Sequence, residues 1–301
     1  MKAHARKFVA LSMTAACAAA VAGTPINETR DVDARARVDV SNVRGSVTVS
    51  AWDRPQVSIS GTLGDGSKGL EIDGGGSRLS IRVKGPENSG WFNWGSSSRM
   101  EDSILVINVP REAELEIEVV SAEVVVSGVA GRLLDVDSVS GKIRVDSNAG
   151  EIEVGSVSGR VELNGRNERV QVETVSGEIN VASAASRLKF ETVSGDIHAE
   201  TGEYRELNAS SVSGDIILRG NPAADARLDS ETMSGDVRVR MPKAASARIE
   251  AETFSGRIRS DFGTVKEPEH GSGRSLDATV GGGSARINIE TFSGDIEIRG
   301  D

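Results

Sequence analysis

Along most of this chain apolar residues alternate with charged or polar ones, in short bursts that recur. Ile143 and Val145 are such a pair, as are Val161 and Leu163, Ile179 and Val181, and Val237 and Val239. A second set of pairs precedes these by several residues: Ile152 and Val154, Val170 and Val172, Leu188 and Phe190, Ile249 and Ala251. Alternation of this kind is the period-two signature of half-buried strands. Between the two sets stands a motif, V-S-G followed by a charged residue and Ile or Val. It reads Val139-Ser140-Gly141-Lys142-Ile143 and returns with its glycine at Gly159, Gly177, Gly195, Gly214, Gly235, Gly256 and Gly294. The glycines step by 18, 18, 18, 19, 21 and 21 residues, then by 38. Eight copies at near-constant spacing mark a repeat architecture.

The elements predicted are two short strands per repeat, with inward side chains stacked on the same column of the next repeat. The fold class is all-β, a parallel β-solenoid of about ten rungs of 18–21 residues. Extra residues fall at one corner, Asn221–Ala224 and Met241–Ala245, where a solenoid tolerates them. Residues 115–122 fit the frame with Ala122 in place of glycine, and Gly45-Ser46-Val47-Thr48-Val49 reads as an earlier rung. At about 4.8 Å per rung the rod is near 50 Å long. The recurring glycine implies either positive φ or close approach of neighbouring turns. The serine before it, from Ser140 to Ser293, reads as a hydroxyl ladder for corner backbone groups, since no histidine or lysine repeats beside it to activate a nucleophile.

Composition sets the compartment. Lys2, His4, Arg6 and Lys7 precede an apolar stretch from Phe8 to Ala20, and Ala20-Val21-Ala22 is an A-x-A cleavage site. Residues 1–22 are therefore read as a signal peptide, residues 23–37 as a lead-in, and residues 38–301 as the repeat domain, with insertions near 85–103 and 261–285. No later segment reaches the roughly 20 apolar residues of a membrane helix, so an exported protein, periplasmic or extracellular, is expected. The one cysteine, Cys17, lies in a weak lipobox-like Thr14-Ala15-Ala16-Cys17, which leaves a lipoprotein as the alternative. Processing lowers the basic residues from 35 to 32 against 45 acidic ones, a net charge of −13, which excludes nucleic acid as a natural partner.

The V-S-G-D-I repeats behind a signal peptide, with the early turn Ala51-Trp52-Asp53-Arg54-Pro55, resemble the bacterial β-strand-repeat putative-adhesin family (domain of unknown function 4097) over roughly residues 38–301. The resemblance implies a β-solenoid in the cell envelope and carries no catalytic residues to transfer.

Candidate chemistry is sparse. Glu178, Asp196, Asp215 and Asp236 follow the corner glycines, and Glu173, Glu191, Glu231 and Glu252 precede them. Calcium needs converging ligands and these columns are parallel, so no metal and no cofactor is expected. Trp91, Phe92 and Trp94 cluster in the Gly/Ser-rich stretch 85–103. They are the candidate ligand-binding residues, and the rival reading is a cap over the N-terminal end. The stretch 261–285, with His270, reads as an excursion from one rung, and the terminal Arg299-Gly300-Asp301 as coincidence. Every carboxylate belongs to a column, so nothing gathers acid, base and cation as a polysaccharide-cleaving β-helix would. The function expected is a non-catalytic, adhesin-like binding or structural module of the envelope. Its alternative is an accessory factor in envelope-stress sensing. The partner would be an envelope protein, glycan or lipid, with end-to-end self-association open to the rod.

Overall fold

The computed structural model of the chain describes residues 23–85, 100–267 and 272–301, which hold strands and turns and no helix. Residues 1–22 with Cys17, the Trp91, Phe92 and Trp94 cluster and His270 lie outside the described residues. Among the described residues there is consequently no helix long and apolar enough to cross a membrane.

The strands are β1 (Thr24–Trp52), β2 (Gln56–Leu63), β3 (Leu70–Val83), β4 (Ser103–Pro110), β5 (Glu114–Ser127), β6 (Leu133–Ser140), β7 (Ile143–Asp146), β8 (Glu151–Ser156), β9 (Val161–Thr174), β10 (Ile179–Thr192), β11 (Ile197–Ser213), β12 (Ile216–Ser234), β13 (Val237–Met241), β14 (Ala247–Ser255), β15 (Ile258–Ser260), β16 (Arg274–Val280), β17 (Ala285–Ser293) and β18 (Ile296–Gly300). The longer ones bend through a corner and serve both columns of the repeat. Pairing is parallel and follows the period of the sequence. Ile143 pairs with Val161, Val161 with Ile179, Ile179 with Ile197, and Ile197 with Ile216. In the other column Ile152 pairs with Val170 and Val170 with Leu188. All of these side chains are buried. Stacking like upon like makes one continuous apolar core, in which each Val or Ile contributes about 1.5–3 kcal/mol.

The corner glycine is explained by approach, not by backbone conformation. Gly159, Gly177, Gly195, Gly214 and Gly235 do not have positive φ. A Cβ added to any of them would overlap the carbonyl oxygen of the glycine in the preceding repeat. Of the eight motif glycines only Gly141 also has positive φ, 131°, and it approaches the Ala122 carbonyl oxygen. At Ala122 the inward phase shifts as at the other corners, from Val119 to Val124, although β5 stays continuous there.

The repeats do not all stack in chain order. β17 pairs with β12 on one side and β14 on the other, so Ile287 sits between Leu228 and Ile249. β18 likewise lies between β13 and β15. The glycine column therefore runs Gly214, Gly235, Gly294, Gly256. The N-terminal end mirrors this arrangement: residues 45–52 of β1 lie between β4 and β5, and residues 37–41 lie between β3 and β5. β17 and β18 are thus tucked in one layer from their tip, and residues 37–52 of β1 lie inside the N-terminal tip strands.

Both tips end in antiparallel strands. Residues 24–31, read from the sequence as part of a lead-in, pair with β2, which pairs in turn with β4. At the far tip β16 runs antiparallel to β14, with Leu276 and Ala278 buried. The stretch 261–285 therefore contributes a covering strand; it is not merely an excursion. Its helical-turn-free alternation, Leu276 in and Asp277 out, was the signal for it.

Candidate binding groove

Strand parity decides which side of each motif faces solvent. In Val172-Glu173-Thr174-Val175 the first and third residues are buried, so Glu173 and Val175 point outward together. The same phase holds in every repeat. The apolar residue that opens the motif is consequently exposed from the second copy onward, Val139 being half-buried: Val157 46%, Val175 48%, Val193 48%, Val212 48%, Met233 62%, Phe254 51% and Phe292 58%. Register places these side chains in one file up the molecule, with Phe292 between Met233 and Phe254. The two phenyl rings stack with centroids 4.9 Å apart and planes within 7°.

Beside this apolar file runs the carboxylate file two residues earlier, Glu118, Asp137, Glu173, Glu191, Glu231, Glu290 and Glu252 in spatial order. The buried Ser or Thr between them forms the floor. Two grooves open along this face. One, of about 840 Å³, lies between Val43 and Val175 and includes Arg82 and Glu118. The other, of about 1100 Å³, lies between Val212 and Phe254, and residues 266–267 and 272–275 close one side of it.

The floor hydroxyls hold the corners. Gly195 N–H donates to Thr192 Oγ1 at 3.0 Å and Gly159 N–H to Ser156 Oγ at 3.0 Å. Thr174 Oγ1 donates to the Gly177 carbonyl at 2.9 Å. The motif serines donate to the carbonyl of the exposed valine one repeat back, Ser140 to Val120 at 3.2 Å and Ser176 to Val157 at 3.3 Å. These serines are structural, as the sequence indicates.

The carboxylates after the glycine also have partners. Asp196 Oδ1 accepts the Asp215 N–H, Asp215 Oδ1 the Asp236 N–H, Asp236 Oδ1 the Asp295 N–H and Asp295 Oδ1 the Arg257 N–H, each at 2.9 Å. This acidic column therefore bonds one repeat to the next. The Arg257 side chain and N–H hold the Asp295 carboxyl below the usual range. Where the residue is basic or Glu, ion pairs take over: Arg160 with Glu178 at 2.6 Å and Lys142 with Glu162 at 2.7 Å. Among the described residues no group of three or more His, Cys, Asp or Glu is placed to hold a metal. One strained carboxylate is Asp135, paired with Glu116 and Glu153 in the flanking repeats. Burial first, then Asp137, Glu153 and Glu116, push it up to about 6.

The terminal Arg299 and Asp301 are engaged within the molecule. Arg299 pairs with Asp261 at 2.9 Å and Glu297 at 2.7 Å, and Asp301 with Arg219 at 3.3 Å. The exposed apolar file was not singled out in the sequence, although parity with Glu173 and the change from Val to Met233, Phe254 and Phe292 both signal it.

Solved structures share this fold at low identity. A "putative adhesin" from Parabacteroides merdae is 13% identical, with a TM-score of 0.56, over 92% of this chain and 97% of that one. A "putative lipid binding protein" from Parabacteroides distasonis is 17% identical, with a TM-score of 0.55, over 92% and 98%. A "putative adhesin" from the same species is 14% identical, with a TM-score of 0.55, over 92% and 98%. Among curated proteins nothing matches the chain at a significant level. The family described as Toastrack DUF4097 matches residues 35–299, nearly the whole repeat region, and the chain belongs to that family.

Proposed function

We propose that this chain is a non-catalytic, adhesin-like binding module of the cell envelope. It is exported by its N-terminal signal and built as a parallel β-solenoid of about ten rungs. The observation that carries the reading is the exposed apolar file ending in Met233, Phe292 and Phe254, each more than half exposed. A contiguous apolar strip of this kind costs solubility and is the usual mark of an interaction surface. Its side chains contribute little to the core, so the strip is not explained by folding. The names of the structural neighbours, adhesin and lipid-binding, belong to the same broad class of binding proteins. Trp91, Phe92 and Trp94 are a second candidate contact.

The test is the triple variant M233S/F254S/F292S. It should melt within a few degrees of the native protein and lose co-sedimentation with purified envelope fractions. A variant that still co-sediments in full would place the binding surface elsewhere.

A further inference from the structure

At the groove beside Phe254 and Phe292, carboxylates without ion pairs among the described residues meet aromatic rings; Glu118 and Asp137 in the other groove also lack ion pairs there but stand beside Val120 and Val139. In the middle repeats the carboxylates beside the apolar file are neutralised: Lys189 reaches Glu191 at 3.1 Å and Glu173 at 3.4 Å. Glu231, Glu290 and Glu252 are different. Register stacks them in three adjacent repeats, Glu231 opposite Glu290 and Glu290 opposite Glu252. All three are exposed, and none has an ion-pair partner among the described residues. Like charges directly opposite on neighbouring strands are unfavourable, so this file would gain from a cationic partner.

Two residues along the same strands, on the same outward side, stand Met233, Phe292 and Phe254. The groove between them, about 1100 Å³, thus has one apolar wall and one anionic wall. Two basic residues also line its rim, Lys266 and Arg274, beside Glu267, with which Arg274 pairs at 2.8 Å.

We propose that this groove docks an extended cationic amphipathic peptide segment, one whose Lys or Arg residues alternate with apolar residues. The inference rests on the binding-module reading above and names its ligand class. In an extended chain alternate side chains point to opposite sides, about 6.7 Å apart on each side. Such a segment lays its apolar residues on the ring wall and its cations on the carboxylates. Three repeats at about 4.8 Å spacing span roughly 10 Å, enough for two residues of each kind. Phenyl faces add attraction for a guanidinium or ammonium group. An anionic membrane surface, the other occupant an apolar strip suggests, is repelled by the same three carboxylates.

The test uses the purified protein and three peptides of about 12 residues, roughly 40 Å when extended: alternating Leu–Lys, alternating Leu–Glu and alternating Ser–Lys. Calorimetric titration should show binding of Leu–Lys alone, weakened at least about tenfold in E231Q/E252Q/E290Q and weakened by salt as screening shortens. The glutamine variant should melt at or above the native temperature, which shows that it is folded. Undiminished Leu–Lys binding by that variant, equal binding of Leu–Glu, or tight binding to phosphatidylglycerol vesicles would each overturn the proposal. The two readings fail separately. If the glutamine variant keeps Leu–Lys binding while M233S/F254S/F292S loses envelope binding, the module stands and its cationic ligand falls. If the serine variant keeps both, both fall.

Discussion

Deleting residues 285–301 should do far more than remove a last repeat. β17 and β18 are the only strands joining β12 and β13 to β14 and β15; among the described residues no pairing bridges that gap directly. The deleted segment buries Ile287, Ile289, Ile296 and Ile298 completely. At about 1.5–3 kcal/mol each these represent about 6–12 kcal/mol, of the same order as the whole stability of an ordinary domain, about 5–15 kcal/mol. On the far side Ile249 and Ala251 keep only β16 as a sheet partner, and Ile258 loses its pairing with Ile296. Hydrogen exchange followed by mass spectrometry should show residues 247–280 exchanging freely in the truncated protein, while residues 100–200 keep native protection. Cysteine pairs check the order directly. Ser234 lies opposite Ser293, about 4.8 Å away, and two steps, about 9.6 Å, from Ser255. A disulfide needs Cα atoms within about 7 Å, so S234C/S293C should oxidise and S234C/S255C should not. A disulfide in the second pair, or a truncated protein that protects 247–280, would refute the intercalated order.

Gly177→Ala should cost about 1–3 kcal/mol by forcing apart two repeats at the corner, whereas Val175→Ser, two residues away and half exposed, should cost about 0.5 kcal/mol or less; urea denaturation of both separates them, and equal losses would contradict the assigned orientation. Asp135→Asn should stabilise the protein at neutral pH only. Its carboxyl titrates near 6 in the folded state against about 3.9 unfolded, so the folded state holds the extra proton and stability is lost as pH rises through that window. The melting-temperature gain of the variant should be absent near pH 4 and complete above about pH 7; a gain independent of pH would remove the buried-carboxylate explanation.

The columns of Ile143, Val161 and Ile179 are legible in the sequence because a stacked strand repeats its inward residue at a fixed period, and nothing else imposes one. The same periodicity is blind to spatial order. Gly294 follows Gly256 by 38 residues, which is compatible with stacking beyond it or slipping beneath it, since both leave identical side chains facing identical neighbours. What separates them is the connection. Residues 261–284 have to carry β16 back antiparallel over β14 before the chain returns under it, and Gly281 and Gly283, both at positive φ, turn the chain at that point.

The groove was concealed for a related reason. The motif was recognised as one block, V-S-G-D-I, while its first and last residues face opposite ways: Val193 lies in solvent and Ile197 in the core. Between them the corner shifts the inward phase, from Thr192 before the glycine to Ile197 after it. Alternation followed strictly from Phe190 through Thr192 puts Val193 outside with Glu191. A valine held there costs little, because a half-exposed β-branched residue still packs against its neighbours above and below. Phenylalanine is different: two stacked rings at the C-terminal end expose far more apolar area than sheet packing requires. The enlargement from Val212 to Met233 to Phe292 falls beside three stacked glutamates, Glu231, Glu290 and Glu252, that have no ion pair among the described residues. It is the conjunction that distinguishes a site from a scaffold here: Glu118 and Asp137 lack ion pairs as well, but among the described residues only these three strands set such carboxylates beside large exposed apolar side chains.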